Sequence, residues 1–154
     1  MTSGNEYNNA LSSALHYLTG RDHTEAETSR YLSKKGFSPV SIELVLNACK
    51  KQGYIDDRRF ASRWAESRSK NSSKSNMALH MELVAKGVPS ELIEEALQSL
   101  DETDAALIAA EKAAWRWKSL PWDEFSKKIS ASLSRKGFAF EIIGITLKKL
   151  KERR

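Results

Sequence analysis

Leu32-Ser33-Lys34-Lys35-Gly36-Phe37 returns as Leu83-Val84-Ala85-Lys86-Gly87-Val88 and again as Leu133-Ser134-Arg135-Lys136-Gly137-Phe138. The glycines stand 51 and 50 residues apart. Beyond them the match continues: Ile42, Ile93 and Ile143 follow at six residues, Leu46, Leu97 and Leu147 at ten, and Cys49, Leu100 and Leu150 at thirteen. A register this regular means one structural unit used three times, and such repeats build surfaces more often than active sites.

The repeated stretch translates directly into local structure. A leucine four residues before each glycine has the spacing of a buried helical face. Lys or Arg in the last turn complements the negative end of the helix dipole. The glycine then ends the helix in a left-handed conformation that costs it nothing. Pro39 and Pro89 suit the first turn of the next helix, whose buried stripe is the Ile and Leu spaced four apart. Gly36, Gly87 and Gly137 are therefore scaffold.

A further helix precedes each such pair. Ala10, Leu11, Ala14, Leu15 and Leu18 have helical spacing, as do Phe60, Ala61, Trp64 and Ala65. In the third copy the expected buried face is Leu107, Ile108, Glu111, Ala114 and Trp115, interrupted by one charge. Thr24 with Glu27 forms a capping-box pattern, and Asp56–Asp57 and Asp101–Asp104 offer further caps. Pro121 before Asp123 and Glu124 reads as another first turn. The expectation is an all-α, elongated solenoid of three tandem three-helix repeats, nine helices in all, over residues 1–53, 54–101 and 102–154. Asn71 to Asn76 reads as the least structured connection.

The chain has 154 residues, 40% of them apolar and 29% charged, which describes an ordered and rather polar protein. Its one cysteine, Cys49, occupies a leucine position of the repeat and reads as a core thiol. The first residues have neither a basic region nor an apolar stretch, and no apolar run approaches a membrane span. A cytoplasmic monomer with no membrane association and no cofactor is the expectation.

The net charge of +5 is unevenly spread. Residues 1–53 carry six basic and five acidic groups, residues 54–103 seven and nine, and residues 104–154 twelve and six. Residues 58–74 nevertheless hold Arg58, Arg59, Arg63, Arg68, Lys70 and Lys74 against Glu66 alone. Two basic regions, one internal and one C-terminal, suggest a polyanionic or acidic partner.

Catalytic chemistry is absent from this pattern. His16, His23 and His80 lie far apart, none beside a second ligand at metal-site spacing. His23 follows Arg21-Asp22 in a turn and reads as a surface or capping residue. The acidic pairs are explained as caps and solvated faces, and no phosphate-binding or dinucleotide motif occurs. Groove reading by a helix-turn-helix is disfavoured, because the second helix of the middle pair opens with Glu91, Glu94 and Glu95. Non-specific phosphate contact needs only Lys and Arg, and stays open. Trp64, Trp115, Trp117 and Trp122 could stack on bases or anchor a partner, with core packing between repeats as the competing reading.

The stretch Gly53-Tyr54-Ile55-Asp56-Asp57-Arg58-Arg59-Phe60-Ala61, followed by Arg68, Glu82-Leu83 and Lys86-Gly87-Val88, resembles the RecX family, regulators of the RecA recombinase. Arg21-Asp22-His23-Thr24 with Glu27 is similar to that family's entry to its second helix. The resemblance covers essentially the whole chain and is densest from Arg21 to Leu97. Two features depart from the family pattern. Asn71-Ser72-Ser73-Lys74-Ser75 and Ala78 stand where glycine and a basic residue are common, and Thr28 stands where an apolar residue is favoured.

The resemblance implies a non-enzymatic protein that lies along the RecA filament on single-stranded DNA. There it would limit extension or promote disassembly, and so lower ATPase, strand exchange and co-protease activity. The candidate contacts are Arg58, Arg59, Arg63, Arg68, Lys70 and Lys74, then Arg135, Lys136, Lys148 and Lys149, facing either RecA or DNA. A solvated face is the competing reading for each. Charge reversal at Arg68 and Lys70 is expected to weaken inhibition without unfolding. The alternatives are a stand-alone non-specific DNA-binding protein, with weak direct contact through the basic regions, and a helical adaptor for another assembly.

Overall fold

The structure, a computed structural model, describes residues 3–154, with side chains for residues 4–69 and 73–154. Among the described residues there are nine α-helices, one short 3-10 turn and no strand. The helices are α1 (Ser3–Gly20), α2 (Glu25–Lys34), α3 (Pro39–Lys51), α4 (Asp57–Ser72), α5 (Asn76–Ala85), α6 (Ser90–Gln98), α7 (Glu102–Ala114), α8 (Trp122–Arg135) and α9 (Phe140–Arg153). The 3-10 turn, Trp115–Trp117, follows α7.

Each repeated glycine ends a helix as its sequence requires. Gly36, Gly87 and Gly137 take φ of 91°, 80° and 90°. Each glycine N–H reaches the carbonyl three residues back, and the next N–H reaches that of Leu32, Leu83 or Leu133. These paired bonds form the Schellman motif, which satisfies carbonyls the helix leaves open. All three leucines are buried. Gly53 (φ 79°) ends α3 with the same pair of bonds, to Lys50 and Cys49.

Two compact units are formed. Among the described residues the first comprises 3–62 and 83–93, the second 63–82 and 94–154. In the first, α1, α2 and α3 pack on one another around Ala10, Ala14, Leu32, Val45, Leu46 and Cys49. In the second, α7, α8 and α9 enclose Ala106, Ala110, Phe125, Ile129, Leu133 and Ile143.

A hydroxyl explains why residues 83–93 belong with the first unit. Thr24, the N-cap of α2, accepts the Glu27 N–H and donates its own proton to the Lys86 carbonyl at 2.6 Å. Gly87 follows so close that an added Cβ would lie 2.3 Å from the Ala26 Cβ. Asp57 completes the joint by accepting the Glu25 N–H at 2.9 Å. The second unit repeats the device. Ser75 accepts the Ala78 N–H and donates to the Lys136 carbonyl at 2.7 Å, while Glu102 accepts the Asn76 N–H at 3.0 Å. The third copy departs from it. Helix α8 has 14 residues where α2 and α5 have 10, so the position equivalent to Thr24 and Ser75 falls on Phe125, a core residue inside the helix.

Three sequence expectations are corrected here. The buried face of α7 is Ala105, Ala106, Ala109, Ala110 and Ala113, not the row through Glu111 and Trp115. Small side chains let neighbouring helices approach closely, and a helix rich in alanine on every side does not announce its buried face by size. Residues 71–76 are not a loose connection, because α4 runs to Ser72 and only residues 73–75 link it to α5. His23 is buried, 8% exposed, and stacks on Tyr17 with ring centroids 3.7 Å apart.

Thr28 is fully buried, and its hydroxyl donates to the Thr24 carbonyl at 2.9 Å. That bond satisfies the only polar group that an apolar residue would lack there.

Candidate partner-binding surfaces

Helix α4 carries the internal basic run except Lys74, which lies on the link to α5. Arg58 and Arg59 lie in the first unit; Arg63, Arg68, Lys70 and Lys74 lie in the second. Asp56 caps α4 by accepting the Arg59 N–H at 3.0 Å. The Arg59 guanidinium donates to the Gly53 carbonyl at 2.9 Å, which fastens the α3–α4 turn. Arg58 and Arg63 are exposed, Lys74 is half-buried, and the Lys70 side chain lies outside the described residues.

Arg68 has an internal partner. Its Nε and one terminal nitrogen reach the two Glu82 oxygens at 3.4 and 3.0 Å. The Trp64 indole N–H donates to the same carboxylate at 3.3 Å, and the Arg68 guanidinium lies 5.4 Å from the Trp64 ring centroid. A forked pair of this kind fixes the side chain's orientation. Arg68 thus joins α4 to α5 within its unit, with only part of its surface left to solvent.

At the other basic region, Arg135 closes α8 and Lys136 is its C-cap, whose carbonyl accepts the Ser75 hydroxyl. Both side chains are exposed, as is Lys148 on α9. Lys149 is half-buried, and its charge helps hold the Asp101 carboxyl below its usual value. The larger causes there are hydrogen bonds from the Thr103 hydroxyl and N–H.

Around His23 the first unit carries a fixed charged cluster. Burial pushes the imidazole pKa below its usual 6.5, and Arg21 adds to that while Glu27 opposes it. Burial alone would raise Glu27, but the Thr24 N–H and Lys86 outweigh it and hold the carboxyl low. Glu27 lies 3.4 Å from the Lys86 ammonium and 3.8 Å from Arg21. Burial raises Asp57, against the Glu25 N–H that it accepts. These groups serve the joint between α2 and α5.

One surface was named only in part by sequence reasoning, through Trp115 as a candidate for stacking or anchoring. Trp115 is 68% exposed, on the 3-10 turn after α7, beside a shallow cavity of about 320 Å³ that Phe125, Lys118, Arg153 and Arg154 also line. Core packing was the competing reading for Trp115, and the cations Lys118, Arg153 and Arg154 were not among the candidates, although the Trp115-Arg116-Trp117-Lys118 alternation was an available signal. Trp117 and Trp122 pack against the core of the second unit, and Trp64 is half-buried. Among the described residues no cluster of His, Cys, Asp or Glu could hold a metal ion, and no helix is long and apolar enough to cross a membrane.

Fold and site together define an all-α repeat protein, made of glycine-terminated helix pairs fastened through their caps and carrying basic surfaces. Residues 10–49 match the RecX first three-helix domain and residues 56–97 the RecX second three-helix domain. The chain is 35% identical over 139 residues to the "Regulatory protein RecX" of Chlorobaculum tepidum, covering 90% of this chain and 86% of that one. It is 36% identical over 149 residues to the protein of the same name from Bacillus licheniformis, covering 95% of this chain and 57% of its relative, so it spans little more than half of that protein. The crystal structure of RecX from Lactobacillus salivarius superposes with a TM-score of 0.90 at 23% identity, over 96% of this chain and 98% of that one. The chain belongs to the RecX family.

Proposed function

We propose that this chain is a non-enzymatic modulator of the RecA recombinase. It binds the RecA filament on single-stranded DNA and limits its extension, ATPase, strand exchange and co-protease activity. Family membership is the observation that carries this reading, together with relatives named as regulatory proteins. The three repeats, residues 1–53, 54–101 and 102–154, are its units of construction, and it acts as a cytoplasmic monomer without a cofactor.

The contact residues are drawn from the two basic regions. Arg58, Arg63, Lys74, Arg135, Lys136, Lys148 and Lys149 meet RecA or DNA backbone, and Lys70, whose side chain lies outside the described residues, is a further candidate. Arg59 and Arg68 also hold α4 in place, since each binds within its own unit. Cosedimentation with RecA filaments that saturate poly(dT) tests this assignment. More chain pelleting with filament than with bare poly(dT) supports it; equal or lesser pelleting contradicts it and favours a stand-alone DNA-binding protein.

A further inference from the structure

The Trp115 cavity combines two features that no packing need explains. A large aromatic face is left in solvent, since Trp115 is 68% exposed. Cations surround it. Arg154 lies 4.5 Å above the Phe125 ring centroid and donates to the carbonyls of Lys118 (3.1 Å) and Leu120, so its charge is fixed at the cavity edge. Arg153 pairs with Glu111. Lys118 and Arg116 are exposed, and among the described residues neither has an ion pair with a carboxylate. The adjoining end of α9 and Arg154, residues 148–154, holds five basic residues against Glu152.

We infer that this cavity binds single-stranded nucleic acid, with one base stacked on Trp115 and the flanking phosphates on Lys118 and Arg154. An exposed ring among cations is the combination that holds unpaired strands, because every base offers a π-face and every linkage a charge. Duplex is excluded from the stack, since its bases already cover one another. A stack on the Trp115 ring accepts any base, so binding is tolerant of sequence. A single stack contributes about 1–3 kcal/mol, too little to hold a free nucleotide, whereas a strand adds several phosphates. The residues that line this cavity are not among those assigned to RecA, although Lys148 and Lys149 of the adjoining α9 end are, and the stack on Trp115 does not depend on that assignment.

The test is fluorescence anisotropy of a labelled oligothymidylate of about 15 nucleotides with the full chain and no RecA, at about 50 mM salt. Saturable binding is expected, weakened at least about fivefold in Trp115→Ala, the equivalent of ~1 kcal/mol of stacking. Trp115→Phe should keep most of the affinity. Lys118→Gln should lower the slope of log affinity against log salt by about one. Circular dichroism checks that each variant keeps its helices.

No binding by the parent chain overturns the proposal, as does parental affinity in Trp115→Ala with an unchanged salt slope in Lys118→Gln. Competition by thymidine monophosphate as effective as that by the oligomer would make the cavity a free-nucleotide site instead. Displacement by an acidic, aromatic-bearing peptide at lower concentration than oligomer would make it a protein-docking site. Either result overturns the strand assignment.

Discussion

Thr24 donates its hydroxyl proton to the main-chain carbonyl of Lys86 at 2.6 Å, 62 positions further along the chain. The same oxygen accepts the N–H of Glu27 at 3.1 Å, so one hydroxyl caps α2 and holds the end of α5. Ser75 does the same for α5 and the end of α8, through the Ala78 N–H and the Lys136 carbonyl. The caps of this repeat are therefore also its joints. Basic side chains next to them, Lys86 and Lys136, sit where the joint sets their position.

The three glycines should differ in cost although the sequence makes them look equivalent. All three need a left-handed backbone, worth about 1–2 kcal/mol on substitution. A Cβ on Gly36 meets nothing within 4 Å, one on Gly137 lies 2.9 Å from the Ser75 Oγ, and one on Gly87 lies 2.3 Å from the Ala26 Cβ. Overpacking adds about 1–3 kcal/mol where neighbours cannot yield. Urea denaturation should rank the losses Gly36→Ala, then Gly137→Ala, then Gly87→Ala. Equal losses would mean that the glycines serve the helix ends alone.

Thr24→Val and Thr28→Val separate a joint hydroxyl from a merely buried one. Thr24→Val removes a cap and leaves the Lys86 carbonyl without that donor, so a loss of about 1–3 kcal/mol is expected. Thr28→Val removes a bond to the Thr24 carbonyl, which the Thr28 N–H already occupies at 3.0 Å. Its effect should stay within about 1 kcal/mol. The midpoint of chemical denaturation for each variant checks this.

Much of this fold was legible because helix ends obey local rules. Leucine, basic residue and glycine at fixed offsets gave the Schellman ends, and Thr24 with Glu27 gave the capping box. The second function of Thr24 was not legible, since its partner is fixed by tertiary packing and not by spacing. Alanines hid the buried face of α7, and apolar periodicity then assigned Trp115 to a core it does not enter. Charge counting located the basic regions correctly as sequence, but it could not show that Glu82 already holds Arg68.

His23 predicts a pH dependence. Its folded pKa lies below 6.5, so the unfolded chain binds protons first as the pH falls. Stability from this residue is fully present above about pH 6.5 and is lost as the pH drops from there through the folded pKa, with a limiting slope of about 1.4 kcal/mol per pH unit. Arg21 and Lys86 work in the same direction as burial, while Glu27 opposes them. Glu27, held below 4.5, adds its own loss only at lower pH. His23→Phe keeps a ring against Tyr17 and should flatten the dependence between pH 6.5 and 5, measured by thermal unfolding at each pH.

Charge reversal should act differently at Arg68 and Lys148. Arg68→Glu sets a second carboxylate beside Glu82 and frees the Trp64 environment, so it should destabilise the fold by about 1–2 kcal/mol. The expectation from sequence was weaker inhibition without unfolding; the Glu82 pair adds a predicted cost in stability. Lys148→Glu, on an exposed side chain, should leave unfolding unchanged while weakening the effect on RecA. Unfolding curves and RecA ATPase assays on the same preparations distinguish the two outcomes.

RecA ATPase on single-stranded DNA, titrated with this chain at fixed RecA and DNA, tests the central claim most directly. A filament modulator lowers hydrolysis with well under one chain per RecA, because each bound copy affects more than the subunit it touches. Absence of inhibition at every ratio would contradict the account, and so would inhibition that begins only when the chain covers the DNA.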